Sequence, residues 1–186
     1  MALIEPMPVK EDPSPWLTRW SHLIKPNARV LDVACGAGRH MQYLHNLGHQ
    51  CLGVDRSPEA LSEAQQFGQV LEADIENGPW PLTGQQFDLV LVTNYLWRPL
   101  MPQILESIAP EGLLIYETFA VGQETIGKPS RPDFLLTPGE LIQRFESLHV
   151  IAYEDGYWDQ PAKFVQRMVA AHQVNPSRRP FSLSSR

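Results

Sequence analysis

Val30-Leu31-Asp32-Val33-Ala34-Cys35-Gly36-Ala37-Gly38-Arg39-His40 is the stretch on which the fold turns. A β-rich apolar run, Arg29 to Ala34, enters a Gly-x-Gly turn and then a helical pattern. Met41, Leu44 and Leu47 share one side of that helix, which stops at Gly48. Strand, glycine turn and helix in this order open a parallel α/β unit, where glycine lets the backbone approach a ligand. An ordinary strand-to-helix turn reads the same way. A dinucleotide fingerprint wants a third glycine where Met41 stands, and no Gly-Lys-Ser/Thr marks a phosphate loop. Asp32, ahead of the turn, would repel a pyrophosphate and attract a cationic group.

Further from this turn, strand and helix keep alternating. Ser14-Pro15 and Ser57-Pro58 read as N-cap and first helical residue. Strands are expected at Cys51–Val54 ending at Asp55, Val70–Ala73 ending at Asp74, Phe87–Thr93 and Leu113–Phe119. A helix is expected near Met101–Ala109 and another from Thr137 through Leu141, Ile142 and Phe145. Alternation predicts a parallel sheet with helices on both faces. Two last strands, His149–Tyr153 and Lys163–Ala171, come together, with Tyr157-Trp158 in their connection, and predict an antiparallel hairpin at one edge. Residues 1–13 read as a loose arm, 14–173 as one domain and 174–186 as a polar tail with three arginines and no acid.

The chain has 186 residues, 43% of them hydrophobic, and a net charge of −6. That composition suits one folded domain and argues against a dedicated nucleic-acid binder, which needs a basic surface. Two cysteines make no disulfide scaffold, so reduced thiols in a cytoplasmic protein are expected. The N-terminal residues lack the apolar core of a signal peptide, and no apolar run reaches the roughly 18 residues that span a bilayer.

Three more positions join Asp32 at carboxyl ends of expected strands, where such sheets bind ligands. An acid at Asp55 suits both hydroxyls of a ribose. Asp74-Ile75 offers one polar group and an apolar wall for an adenine. Asn94-Tyr95 follows the fourth strand.

These residues resemble the class I S-adenosylmethionine-dependent methyltransferases. VLDVACGAGRH, GVDRSPEAL, EADIENGPWPL, FDLVLVTNYLWRP and PEGLLIYETF come in that family's order and spacing, over roughly residues 28–173. The resemblance implies a Rossmann-like, doubly wound, seven-stranded sheet, mostly parallel with an antiparallel last strand. It implies S-adenosylmethionine as cofactor. Asp32 and the backbone near Ala34, Gly36 and Gly38 would hold its methionine end, and Asp55 its ribose. Arg56 would flank the adenine, Asp74 and Ile75 would bind it, and Asn94 would stand beside the cofactor. Cys35 replaces a glycine common in the family. Together with Arg39-His40, it is similar to the small-molecule branch that includes tellurite-resistance-type enzymes. Without a Cys-x-x-Cys or matching His spacing, no metal is expected.

The acceptor is expected to be a small soluble molecule. After Asn94 come Tyr95, Leu96 and Trp97, so the Asn/Asp-Pro-Pro-Tyr/Phe signature of amino-methylating enzymes is missing. Tyr95, Trp97, Phe119 and Trp158 are candidate pocket walls, and Arg98 and Arg131 candidate anion binders. Tyr95 and Glu117 are the candidate catalytic groups, although a deprotonated nucleophile needs no base. The long loop from Val121 to Leu136 suits a binding element. Two other readings compete. One is a methyltransferase acting on RNA, ribosome or protein, with the basic tail as a docking element. The other is a non-catalytic nucleoside-binding or partner-binding protein.

Overall fold

Seven strands form one sheet in the order β3-β2-β1-β4-β5-β7-β6. The computed structural model describes residues 12–172, Phe181 and Leu183. Nearly all of the expected N-terminal arm and C-terminal tail therefore lies outside the described residues. The elements are α1 (Pro15–Trp20), β1 (Arg29–Val33), α2 (Arg39–Asn46), β2 (Gln50–Asp55), α3 (Pro58–Ala64), β3 (Gln69–Glu72), β4 (Phe87–Thr93), α4 (Met101–Glu106), β5 (Ile108–Phe119), α5 (Glu140–Arg144), β6 (His149–Asp159) and β7 (Ala162–Ala171). The first five strands are parallel, and β7 runs antiparallel between β5 and β6. Strand order reverses between β1 and β4, which opens a crevice at their carboxyl ends.

Side chains alternate across the central strands, so each face carries its own core. Trp16, Leu17, Met41, Leu44, Leu89, Leu91 and Ile115 pack beneath α1, α2 and α3. Leu31, Val33, Val90, Val92, Ile104, Tyr116, Leu141 and Phe145 pack beneath α4 and α5. Two caps follow the sequence signal. Ser14 Oγ accepts from Trp16 N at 3.1 Å, and Ser57 Oγ accepts from Ala60 N at 3.2 Å. Among the described residues, no helix is long and apolar enough to cross a membrane.

Four local expectations are corrected. Leu47 does not share the buried side of α2: it caps the helix and is half exposed, and Gly48 turns the chain away at φ 87°. The last helix ends at Arg144, so Phe145 lies just past it as its C-cap, buried like Leu141. The fourth helix ends at Glu106 rather than Ala109, because Pro110 lacks an N–H and disfavours helix at the residue before it. Residues from Ile108 pair with β4 through an irregular register, with Glu111 at φ 64°. Finally, β6 runs on to Asp159, so Tyr157 and Trp158 lie within the strand, opposite Phe164 and Lys163, and not in the connection.

Candidate functional site

The glycine turn after β1 folds back on the end of β2. Ala34, Gly36 and Gly38 have φ values of 56°, 53° and 80°. Cys35 N donates to Val54 O at 3.1 Å and Gly38 N to Cys35 O at 3.1 Å. Gly36 N donates to Asp55 Oδ2 at 2.8 Å, and Ser57 N to Asp55 Oδ1 at 2.9 Å. The Asp55 carboxylate is thus fixed between the turn and the cap of α3. The two glycines differ in surroundings. A Cβ on Gly36 would meet nothing within 4 Å, whereas one on Gly38 would stand 2.8 Å from Ala64 Cβ.

Asp32 lies beneath this turn and is 1% exposed. Among the described residues, neither of its carboxylate oxygens has a hydrogen-bond partner. His40 Nδ1 stands 4.0 Å from Asp32 Oδ2 and 3.2 Å from Thr93 Oγ1. Burial raises the Asp32 carboxyl to about 8, against the pull of Arg39 and with the help of Asp55. Burial and Arg39 hold the His40 imidazole down at about 3. Burial without a partner thus favours the neutral acid, and a cationic group reaching Asp32 would restore the carboxylate and be held by it.

Beside Asp55 opens a cavity of about 210 Å³ lined by Ala34, Asp55, Arg56, Ala73, Asp74, Ile75, Glu76 and Tyr95. Five of the nine expected cofactor residues therefore share one wall. Asp32 lies below it, Gly36 joins through its bond to Asp55, and Gly38 packs on α3. Asn94 is exposed at the end of β4 with φ 54°. The Asp74 carboxylate accepts from Glu76 N, Asn77 N and Asn77 Nδ2, and these bonds lower its pKa, those from Asn77 most.

The expected acceptor residues do not converge as one group. Tyr95 faces the cavity with Asp74 and Ile75, and burial and then Glu76 push its phenol above the ordinary range. Trp97 packs half-buried against the core beneath α4 and α5. Arg98 is not a free anion binder. Its guanidinium donates to Glu140 Oε1 at 2.7 Å, Glu140 Oε2 at 2.9 Å, Asp133 O at 2.8 Å and Leu135 O at 2.8 Å. Arg131 is exposed, pairs with Asp133 and lies over Phe134. The 121–136 loop is tied back by Gln123, whose Oε1 accepts from Phe164 N and whose Nε2 donates to Lys128 O.

The Arg98–Glu140 pair joins the end of β4 to α5. Burial raises the Glu140 carboxyl, but Arg98 and Thr137 outweigh it and bring it down to about 2. We expect Arg98→Ala to cost about 2–3 kcal/mol, because Glu140 stays buried with fewer donors. The melting midpoint should fall by roughly 5–10 °C at neutral pH. The sign with pH follows from the lowered Glu140 pKa. Stability from the pair is complete above the ordinary carboxylate range and is lost as pH falls towards about 2. The gap between wild type and variant should therefore shrink in acid.

Glu117, Phe119 and Trp158 lie on β5 and β6, in and around a row across the sheet that sequence reasoning did not assemble. Glu117 is buried on the face that carries Asp32 and Thr93. It accepts from Ser14 Oγ at 3.1 Å, Lys163 Nζ at 3.2 Å and Arg167 Nη1 at 3.3 Å. Arg167 also binds Glu154, and its guanidinium lies 4.1 Å from the Trp158 ring and 5.0 Å from the Trp16 ring. Thr93, Glu117, Arg167 and Glu154 are successive neighbours across β4, β5, β7 and β6. Their polarity on a strand face, two residues apart from apolar neighbours, was the available signal.

Residues 30–110 match the family described as methyltransferase domain. Over 101 residues the chain is 33% identical to malonyl-(acyl-carrier protein) O-methyltransferase of Enterobacter lignolyticus, covering 50% of this chain and 39% of that protein. It is 27% identical over 135 residues to tRNA U34 carboxymethyltransferase of Klebsiella pneumoniae, covering 66% of this chain and 38% of that protein. The chain thus spans about two fifths of these relatives. The fold is similar to that of TehB from Haemophilus influenzae, with a TM-score of 0.71 at 17% identity, over 84% of this chain and 61% of that one.

Proposed function

We propose that the chain is a class I S-adenosylmethionine-dependent methyltransferase and that it methylates a small soluble acceptor. The observation that carries the reading is Asp32: a buried, unpartnered carboxylate beneath a glycine turn whose Gly36 faces open space. That carboxylate suits the ammonium of the cofactor's methionine end. Backbone groups near Ala34, Gly36 and Gly38 complete that end. Asp55, already oriented by Gly36 N and Ser57 N, takes the ribose hydroxyls. Arg56, Asp74 and Ile75 hold the adenine, with Tyr95 now on the cofactor side of the cavity and Asn94 near the mouth.

S-adenosylmethionine supplies a methyl group already activated on a positive sulfur. When it is bound, the acceptor's lone pair would bond to that carbon as the carbon–sulfur bond broke and its electron pair stayed on sulfur. The protein's part is to align the two and exclude water. The net charge of −6 supports a small acceptor over RNA. Buried, unpaired Cys35 and Cys51 support a cytosolic setting.

Transfer of labelled methyl into a fractionated cell extract, with and without nuclease, tests the reading. Label is expected in the low-molecular-weight fraction. Label in a nuclease-sensitive polymer would favour the RNA reading, for which one relative's name speaks. Cofactor binding with no transfer to any fraction would favour a non-catalytic binding protein.

A further inference from the structure

We infer that Lys163 receives the acceptor's charge and that the acceptor is a small organic oxyanion, a carboxylate being the simplest. This rests on the methyl-transfer reading above. Lys163 precedes Val165 by two residues, and Val165 pairs with Phe119, the last residue of β5. Lys163 therefore lies just past the carboxyl edge of β5, on the face that carries Asp32, Thr93 and Glu117. Neighbouring strands are about 4.8 Å apart, so β5 is roughly 10 Å from β1 and its cofactor turn. Trp158 pairs across from Lys163, and Phe119 is half-buried beside it, which offers apolar surface for an organic body.

The ammonium of Lys163 has three donors. Among the described residues, its one hydrogen bond goes to Glu117. Its side chain is 16% exposed, so it is reachable but partly desolvated. The row around it holds Arg19, Lys163 and Arg167 against Glu117 and Glu154, which leaves one positive charge in surplus. Such a site attracts an anion and repels a protonated amine.

Glu117 and His40, two groups on this face that could remove a proton, are both engaged. Glu117 is held by Ser14, Lys163 and Arg167. His40 binds Thr93, and burial and Arg39 hold its pKa at about 3. The Tyr95 phenol is pushed up, and Asp32 faces the methionine end. An acceptor that arrives with its oxygen already deprotonated needs none of them. Its lone pair enters the new carbon–oxygen bond, the carbon–sulfur pair remains on sulfur, and no proton has to leave.

The test uses the full chain and methyl-labelled S-adenosylmethionine. The low-molecular-weight extract is first separated at pH 7 on anion- and cation-exchange resins. The anion-retained fraction should accept label, and the product, having lost a negative charge, should bind that resin less. Lys163→Met should lower kcat/KM for this fraction at least tenfold, chiefly through KM, with S-adenosylhomocysteine affinity within twofold of wild type. Lys163→Arg should recover most of the loss. A second variant separates recognition from neutralisation of Glu117. If Lys163 only balances that acid, Glu117→Gln with Lys163→Met restores turnover; we expect turnover to stay as low as in Lys163→Met. Restoration, wild-type kinetics in Lys163→Met, or label only from the cation-retained or unretained fractions would overturn the assignment. Cofactor binding with no labelled fraction at all would instead sink methyl transfer itself.

Discussion

Asp55→Ala is expected to weaken S-adenosylmethionine binding by about a hundredfold to ten-thousandfold. A carboxylate that accepts two ribose hydroxyls makes two charge-assisted hydrogen bonds, each worth roughly 1.5–3 kcal/mol. Each 1.4 kcal/mol is about a factor of ten in affinity. The structure adds a second reason for a large effect. Asp55 also accepts from Gly36 N and Ser57 N, so its loss frees the turn that shapes the cleft. Asp55→Asn keeps the size but only one acceptor oxygen, and should fall between wild type and alanine. Isothermal calorimetry with S-adenosylhomocysteine measures the loss, and a melting curve confirms that the variant is folded. Undiminished affinity in a folded alanine variant would remove the ribose assignment.

What the sequence disclosed follows from where the physics is local. The Ser14-Pro15 and Ser57-Pro58 caps involve only neighbouring residues, and both form as read. The apolar run at β4 could only be a buried strand, so its bounds were legible to the residue. The shared edge of Asp32, Asp55 and Asp74 was legible because strand ends in a parallel sheet lie side by side. Long-range pairing was not legible. Nothing near Arg98 points to Glu140, 42 residues away, so a clamp read as a free cation. Lys163 and Arg167 drew no role from the sequence, because Glu117 reaches them only once β7 pairs with β5. The length of β6 was hidden by Gly156 and its acids, which break apolar alternation but leave backbone pairing intact. Tyr95 follows a strand end at the mouth of the crevice, and only the folded chain shows that it turns towards Asp74 and Ile75.

Gly36→Val and Gly38→Val should fail in different ways, although only Ala37 separates the two glycines in the same turn. At Gly36 a side chain would project into open space, so the fold loses only what a branched residue costs at φ 53°, roughly 1–2 kcal/mol. That open space is where the cofactor is proposed to lie against the backbone, so binding should fall below detection. At Gly38 the added Cβ would stand 2.8 Å from Ala64 Cβ and 2.9 Å from Ala64 Cα. The obstacle there is partly backbone of α3, which must shift as a unit, and overpacking of this kind typically costs about 1–3 kcal/mol beyond the backbone strain. Gly38→Val should therefore lower the melting midpoint well below that of Gly36→Val when no cofactor is present. Calorimetry on the folded fraction of each variant completes the comparison. Equal losses of stability would mean that Gly36 serves the turn as Gly38 does. Retained binding in Gly36→Val would mean that the cofactor does not approach the backbone there, and the methionine end would have to be sought away from Asp32.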